Sequence, residues 1–368
     1  MFWVSGFDMG IWASQIPRIK AGFSLSDSGL ATIVFGFAVG AILTMPITGA
    51  LTTRLGGVRT VVATGLAGAV SMALLGAVES YPWLLAAALL TGVALGGLDV
   101  AMNTQASVIE RAWGGPIMSG IHGWFSLGSL AGAAAGGGLT AAAASFQAVL
   151  SIAATLDLVA ICAAASWLSV EGVPAGGSNF AWPRRAVLGI GLLCLLAFLF
   201  EGGVFDWTAV YLHEVGGASL GASSAGFAGF SLSMAVTRFA GDAFVRRFGP
   251  RRVLAGGAGL AAFGIALACA VPDLLVATAG LTLAGFGEAN VVPVLFSAAG
   301  RVPGVTPGGG IAMAATMGYG AFVLGPPAIG FLADGVGLRL ALLVLLGCAL
   351  AIAVCGRVVE HRPPPPGH

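Results

Sequence analysis

The chain has 368 residues, is 58% hydrophobic and only 8% charged, and carries a formal net charge of +1. A water-soluble domain carries about 25% charged residues, so lipid is the solvent this composition fits. A near-neutral balance with no basic block excludes nucleic acid as a partner.

Apolar stretches bounded by Gly, Pro and Arg clusters predict twelve helices, at 1–17, 29–52, 58–78, 83–108, 117–143, 146–168, 186–212, 222–245, 252–271, 274–299, 309–333 and 336–356. All but the first approach the roughly 20 residues that span a bilayer. The opening "MFWVSGFDMGIWASQIPR" reads as the exit half of a membrane helix, not as a cleavable signal peptide. Aligned on Trp12 and Trp207, it starts about ten residues short of the seventh helix. That predicts an upstream start or a first helix that fails to span fully.

The longest polar, Gly/Pro-rich interval is "SVEGVPAGGSNFAWPRR", 169–185. It divides the chain into an N-terminal six-helix bundle, 1–168, and a C-terminal one, 186–368, ending in an extended "RPPPPGH" tail. The five cysteines lie in apolar runs and form no CxxC pair, which argues for packing and against disulfide or metal roles. No metal site and no cofactor are expected.

Arginine sets the orientation. With the N-terminus inside, twelve arginines from Arg54 to Arg362 fall on the cytoplasmic side. Only Arg18, Lys20 and Arg339 fall outside, and Arg238 lies within the eighth helix. Both termini are therefore expected in the cytoplasm of a bacterium, with the chain in its inner membrane.

The halves repeat. "RLGGVRT" at 54–60 matches "RFGPRRV" at 247–253, Asp99 matches Glu288, and Arg111 matches Arg301. A parallel six-plus-six repeat relates the two halves by an axis along the membrane normal. The fold class expected is an all-α membrane protein of two six-helix bundles.

These features resemble the major facilitator superfamily. "GALTTRLGGVRT" is similar to its loop between helices two and three, although Thr53 stands where that family has aspartate. "DVAMNTQASVIERAWGGPIMSGIHGWFSLGSLAGA" (99–133) and "EGGVFDWTAVYL" (201–212) resemble its fucose-permease-like branch. The resemblance implies a solute carrier. The substrate has to be argued from the site.

Six acids, Asp8, Asp99, Asp157, Glu201, Asp206 and Glu288, fall inside predicted helices. Each would cost roughly 2.5–3.5 kcal/mol facing lipid, so they must face protein, face a cavity, or be protonated. Asn103 and Glu110 share a helical face with Asp99. His122, Ser126 and Ser129 form a second stripe on helix five. Asp99, Asn103, His122, Glu201, Asp206, Glu288 and Asn290 are the candidate solute or proton pathway; interhelical hydrogen bonding is the alternative for Asp99 and Asn103. Asp8, Trp124, Trp207 and Tyr211 are further cavity candidates, with core packing or interface anchoring as the alternative for the aromatics. Arg54, Arg59, Arg238, Asp242, Arg247 and Arg251 are the candidate cytoplasmic gate, with Arg238 and Asp242 paired at i, i+4. Gly128, Gly132 and Gly136 recur every four residues and permit close helix approach.

No HExxH or P-loop is present, and the one GxSxG string, Gly217–Gly221, is no nucleophile elbow because it lies between two predicted helices and not after a strand; this argues against an enzyme or a self-contained ATP-driven pump. The expected activity is secondary transport of a small polar, sugar-like solute with protons, by a monomer in the lipid bilayer. A drug or metabolite exporter working by proton antiport is the second reading. A non-transporting sensor or scaffold is the third.

Overall fold

The computed structural model describes residues 1–113, 117–168, 185–271, 273–305 and 307–359. The 169–185 linker, apart from Arg185, and the Pro-rich tail lie outside the described residues, as do the side chains of Arg111 and Asp242.

The helices of the first half are α1 (Phe2–Gly22), α2 (Asp27–Leu55), α3 (Gly57–Gly76), α4 (Tyr81–Trp113), α5 (Met118–Ala141) and α6 (Phe146–Ala165). Those of the second are α7 (Arg185–Glu214), α8 (Ala225–Phe248), α9 (Pro250–Ala270), α10 (Leu274–Glu288), α11 (Val291–Ala299), α12 (Pro307–Val336), α13 (Leu338–Ala341) and α14 (Leu343–Cys355). Among the described residues nine spans are long and apolar enough to cross a membrane. The more polar α1, α5 and α8 complete the twelve.

Two differences from the expected elements matter. First, α1 continues through Pro17 and ends at Gly22, giving 21 residues, about 30 Å at 1.5 Å per residue. Second, the tenth span is not continuous: α10 ends at Glu288 and α11 begins at Val291. Pro293 explains the break, because it has no N–H to give to the carbonyl of Ala289 and its ring crowds that carbonyl.

The packing repeats as the sequence does. α1 lies on α5 as α7 lies on α12; α2 lies on α4 as α8 lies on α10. α3 packs on α6 as α9 packs on α14. The halves meet along two equivalent seams, α5 with α8 and α2 with α12.

The α1–α5 contact depends on glycine from both helices. A Cβ at Gly128 would overlap the carbonyl oxygen of Trp3, and one at Gly132 that of Phe7. In return Gly6 and Gly10 sit against the carbonyls of Phe125 and Ser129. Small residues let the two backbones touch, the source of helix adhesion where lipid removes the hydrophobic drive.

Candidate functional site

Polar side chains from four helices form an almost continuous chain. On α4, Asn103 Nδ2 donates to Asp99 Oδ1 at 3.0 Å and to the Asp99 carbonyl at 2.9 Å. The i, i+4 spacing on one helix makes this pair local. Asn103 Oδ1 lies 3.2 Å from His122 Nε2 on α5, linking the two predicted stripes. One turn further along α5, Ser126 Oγ donates to the His122 carbonyl at 3.3 Å. Ser126 Oγ also accepts from Arg238 Nη1 of α8 at 2.9 Å. Arg238 Nη2 then reaches Glu201 Oε1 of α7 at 3.2 Å. The chain thus crosses the α5–α8 seam.

Arg238 is nine-tenths buried, and Glu201 is the more open partner, its side chain 26% exposed. Local spacing in the sequence pairs Arg238 with Asp242 and leaves Glu201 without a cation. The structure supplies Arg238 to Glu201 from a helix more than thirty residues away. Glu288, the repeat counterpart of Asp99, lies within electrostatic reach of both Arg238 and Glu201. It is 1% exposed, and neither carboxyl oxygen has a hydrogen-bond partner among the described residues.

An aromatic cluster of the second half approaches the Asp99 end of this chain. Phe198 of α7 stacks on Tyr319 of α12 with ring centroids 5.8 Å apart and planes 7° off parallel. Phe322 and Phe296 close around Phe198 at 5.8 and 6.1 Å. Tyr319 lies within electrostatic reach of Asp99. None of these aromatics stands out in the sequence; the available signal is Tyr319 as one of only three tyrosines.

Several candidates lie elsewhere. Glu110 is not part of the polar stripe: its Oε2 accepts from the backbone N–H of Ile117 and Met118 at 2.9 and 2.8 Å. It therefore caps the start of α5, where a carboxylate also meets the positive end of the helix dipole. Tyr211 packs in the core and does not line a cavity, with its hydroxyl donating to the Ala268 carbonyl at 2.7 Å. Trp207 is fully buried in the same core, its ring edge against Gly330 of α12. Asp8 lies within electrostatic reach of Asp157 of α6.

Asn290 sits in the break of the tenth span with its amide against Gly241 of α8, where a Cβ would collide with it. Asp206 is half-buried on α7, about 140° around the helix from Glu201. Trp124 is 56% exposed. Of the gate candidates besides Arg238, Arg54, Arg59 and Arg247 are exposed, Arg251 is half-buried, and Arg247 lies over the ring of Phe248. The Asp242 side chain lies outside the described residues.

At the end of the bundle opposite the arginine-rich turns, a second polar cluster joins the halves. Lys20 Nζ of α1 lies 2.5 Å from Asp27 and 2.7 Å from Glu214 of α7. The carboxylate of Asp334, on α12, accepts from the N–H groups of Asp27 and Ser28 at 3.0 and 3.2 Å.

A family model described as Major Facilitator Superfamily matches residues 1–246 and 209–368. An uncharacterised MFS-type transporter of Yersinia pestis is 34% identical over 364 residues, covering 98% of this chain and 94% of that protein. Membrane protein MosC of Rhizobium meliloti is 30% identical over 367 residues, covering 98% and 88%. Among solved structures, a mutant form of the nucleoside transporter NupG superposes with a TM-score of 0.76 at 14% identity, over 98% of both chains. A variant of the E. coli fucose:proton symporter FucP superposes with a TM-score of 0.66 at 18% identity, over 98% of this chain and 97% of that one.

Proposed function

The chain belongs to the major facilitator superfamily and is a multi-pass membrane transporter, and from that premise we propose that it moves a small polar, sugar-like solute by alternating access, coupled to protons. The observation that carries this reading is the approach of Tyr319, in the aromatic cluster, to Asp99 of the polar chain. Asp99, Asn103 and His122 from the first half offer both donors and acceptors. Phe198 and Tyr319 from the second offer a flat apolar face. A solute with hydroxyls on its edges and C–H on its faces satisfies both surfaces at once. A bare cation or an aliphatic tail satisfies only one.

Proton coupling is supported by a charge count. Arg238 is one cation beside two acids, Glu201 and Glu288. When it pairs with Glu201, a buried Glu288 without a partner is tolerable only as the neutral acid. If Arg238 turns to Glu288 or to solute as the halves rock, the proton has reason to leave. The excess of arginine at one end supports both termini in the cytoplasm. With that orientation, the contacts at the Lys20 end lie on the outer side of the membrane.

The test is flux of labelled sugars and nucleosides into proteoliposomes under an imposed pH gradient without sodium. Uptake driven by acid outside, lost in Glu288→Gln, is expected. Flux indifferent to the gradient overturns the coupling, and gradient-driven counterflow of amphipathic drugs with no sugar flux overturns the substrate class.

A further inference from the structure

The serine in the polar chain has its hydroxyl committed in a way that matters to the cation beside it. Ser126 is 3% exposed on α5. A hydroxyl has one proton to give and lone pairs to receive. Ser126 gives its proton to the His122 carbonyl one turn back, at 3.3 Å, the back-bond open to a serine inside a helix. Its oxygen is left as an acceptor, and Arg238 Nη1 of α8 meets it at 2.9 Å. Nη1 and Nη2 belong to one rigid planar fork. With Nη1 held at Ser126, Nη2 is delivered to Glu201 at 3.2 Å. The partners come from different halves: Ser126 is in the first, while Arg238, Glu201 and Glu288 are all in the second. Movement of one half against the other therefore changes the bond to Ser126 and leaves Arg238 beside both acids.

We propose that Ser126 is a positioning residue for the proton: it holds Arg238 on Glu201 in this state and, as the halves move, releases it toward Glu288. This role rests on the proton-coupled reading above and supplies the link between the proton and the arrangement of the halves. While Nη1 is held, Glu201 has the cation, and Glu288, 1% exposed, keeps its proton. When α5 draws its hydroxyl away, Nη1 loses an acceptor in the interior, where an unmade bond is costly. The carboxyl of Glu288 is within electrostatic reach to replace it. A guanidinium there favours the ionised carboxylate. The O–H bond of Glu288 then breaks with its electron pair left on oxygen, and the proton passes to water on the side that is open. Two further titratable groups stand around these three: His122 of α5 within electrostatic reach of Arg238, and Cys348 of α14 within reach of Glu288.

The test reads the proton on Glu288 directly and needs no flux. With the protein in lipid nanodiscs, the infrared C=O band of protonated carboxyl groups is followed against pH. The Glu288 component is the part that Glu288→Gln removes, and titration of His122 or Cys348 does not enter a carboxyl band. Ser126→Ala frees Arg238 to serve Glu288, so the pH at which Glu288 loses its proton should fall by about one unit, the ten-fold change carried by one hydrogen bond to a charged group. Ser126→Thr keeps the hydroxyl and should stay with the wild type. Ser129→Ala loses the same kind of back-bond, to the Phe125 carbonyl at 3.1 Å, without touching the hold on Arg238, and should leave the midpoint in place. A midpoint that stays or rises in Ser126→Ala overturns the proposal. So does an equal fall in Ser129→Ala, which is loosening of α5, or in Ser126→Thr, which is a packing effect. Failure of proton coupling looks different: wild-type flux indifferent to a pH gradient, with the midpoint still lowered by Ser126→Ala, removes the coupling and leaves the hold of Ser126 on Arg238 standing.

Discussion

The carboxyl of Asp8 on α1 lies beside that of Asp157 on α6, and each residue is 1% exposed. Two ionised carboxylates repel and have only acceptors to offer one another, so a proton shared between them suits this buried pair. Asp8→Asn should therefore be well tolerated, because the amide donates in the proton's place, with a stability change within about 1 kcal/mol. Asp8→Ala leaves Asp157 buried alone and should cost about 1–3 kcal/mol. Thermal unfolding in detergent compares the two; equal losses would sink the shared-proton account.

Removing Arg238 should be worse than removing any one acid beside it. Arg238→Met leaves Glu201 and Glu288 in a low-dielectric interior without their cation, a loss of about 3–5 kcal/mol for a broken buried pair. Adding Glu201→Gln and Glu288→Gln to that variant should recover much of the stability while flux stays lost. A triple variant no more stable than Arg238→Met alone would show that the three side chains do not act as a unit.

Glycines of α5 should separate sharply by position. Gly132→Ala puts a methyl group into the Phe7 carbonyl and should lower the yield of folded protein. Gly138 has nothing within 4 Å of a would-be Cβ, so Gly138→Ala should stabilise, by about 0.5–1 kcal/mol for a helix interior. Expression level and unfolding temperature, measured side by side, give the comparison.

Glu110 and Asn103 lie on one face of α4 but should behave differently. Glu110→Ala removes the cap on α5, costs about 1 kcal/mol, and should leave the apparent solute affinity unchanged. Asn103→Leu breaks the link to His122 and should raise the half-saturating solute concentration with little loss of stability. A reversed pattern would put Glu110 in the path.

Tyr319→Phe keeps the stack on Phe198 and should alter half-saturation only a few-fold, whereas Tyr319→Ala removes the ring. An aromatic contact of this kind contributes about 0.5–1.5 kcal/mol beyond its area. Equal effects from both substitutions would mean that the hydroxyl, not the ring, meets the solute.

Hydropathy and the arginine turns make the twelve spans legible, because lipid demands long apolar runs whatever their neighbours. The Asp99–Asn103 pair is legible too, since i, i+4 spacing on one helix decides it. The partner of Glu201 is not. Local spacing points Arg238 at Asp242, and only the meeting of α7 with α8 reveals the other bond. Lys20 and Glu214 are still further apart in sequence, and nothing near either marks the other. The break after Glu288 does have a local sign, Pro293, hidden inside a run apolar enough to read as continuous helix.

The backbone-to-backbone seam of α1 and α5 also has a mechanical meaning. Helices that touch through glycine have no long side chains between them to bend or slide, so α1 and α5 behave as one stiff beam. α5 rides on α8 at the seam, and α1 carries Lys20 at its tip. A tilt of roughly 10° at the seam, acting over an arm of about 20 Å, moves that tip by about 3–4 Å, within the range of domain rocking. Hydrogen bonds do not stretch so far. A tilt of that size would part Lys20 from Glu214.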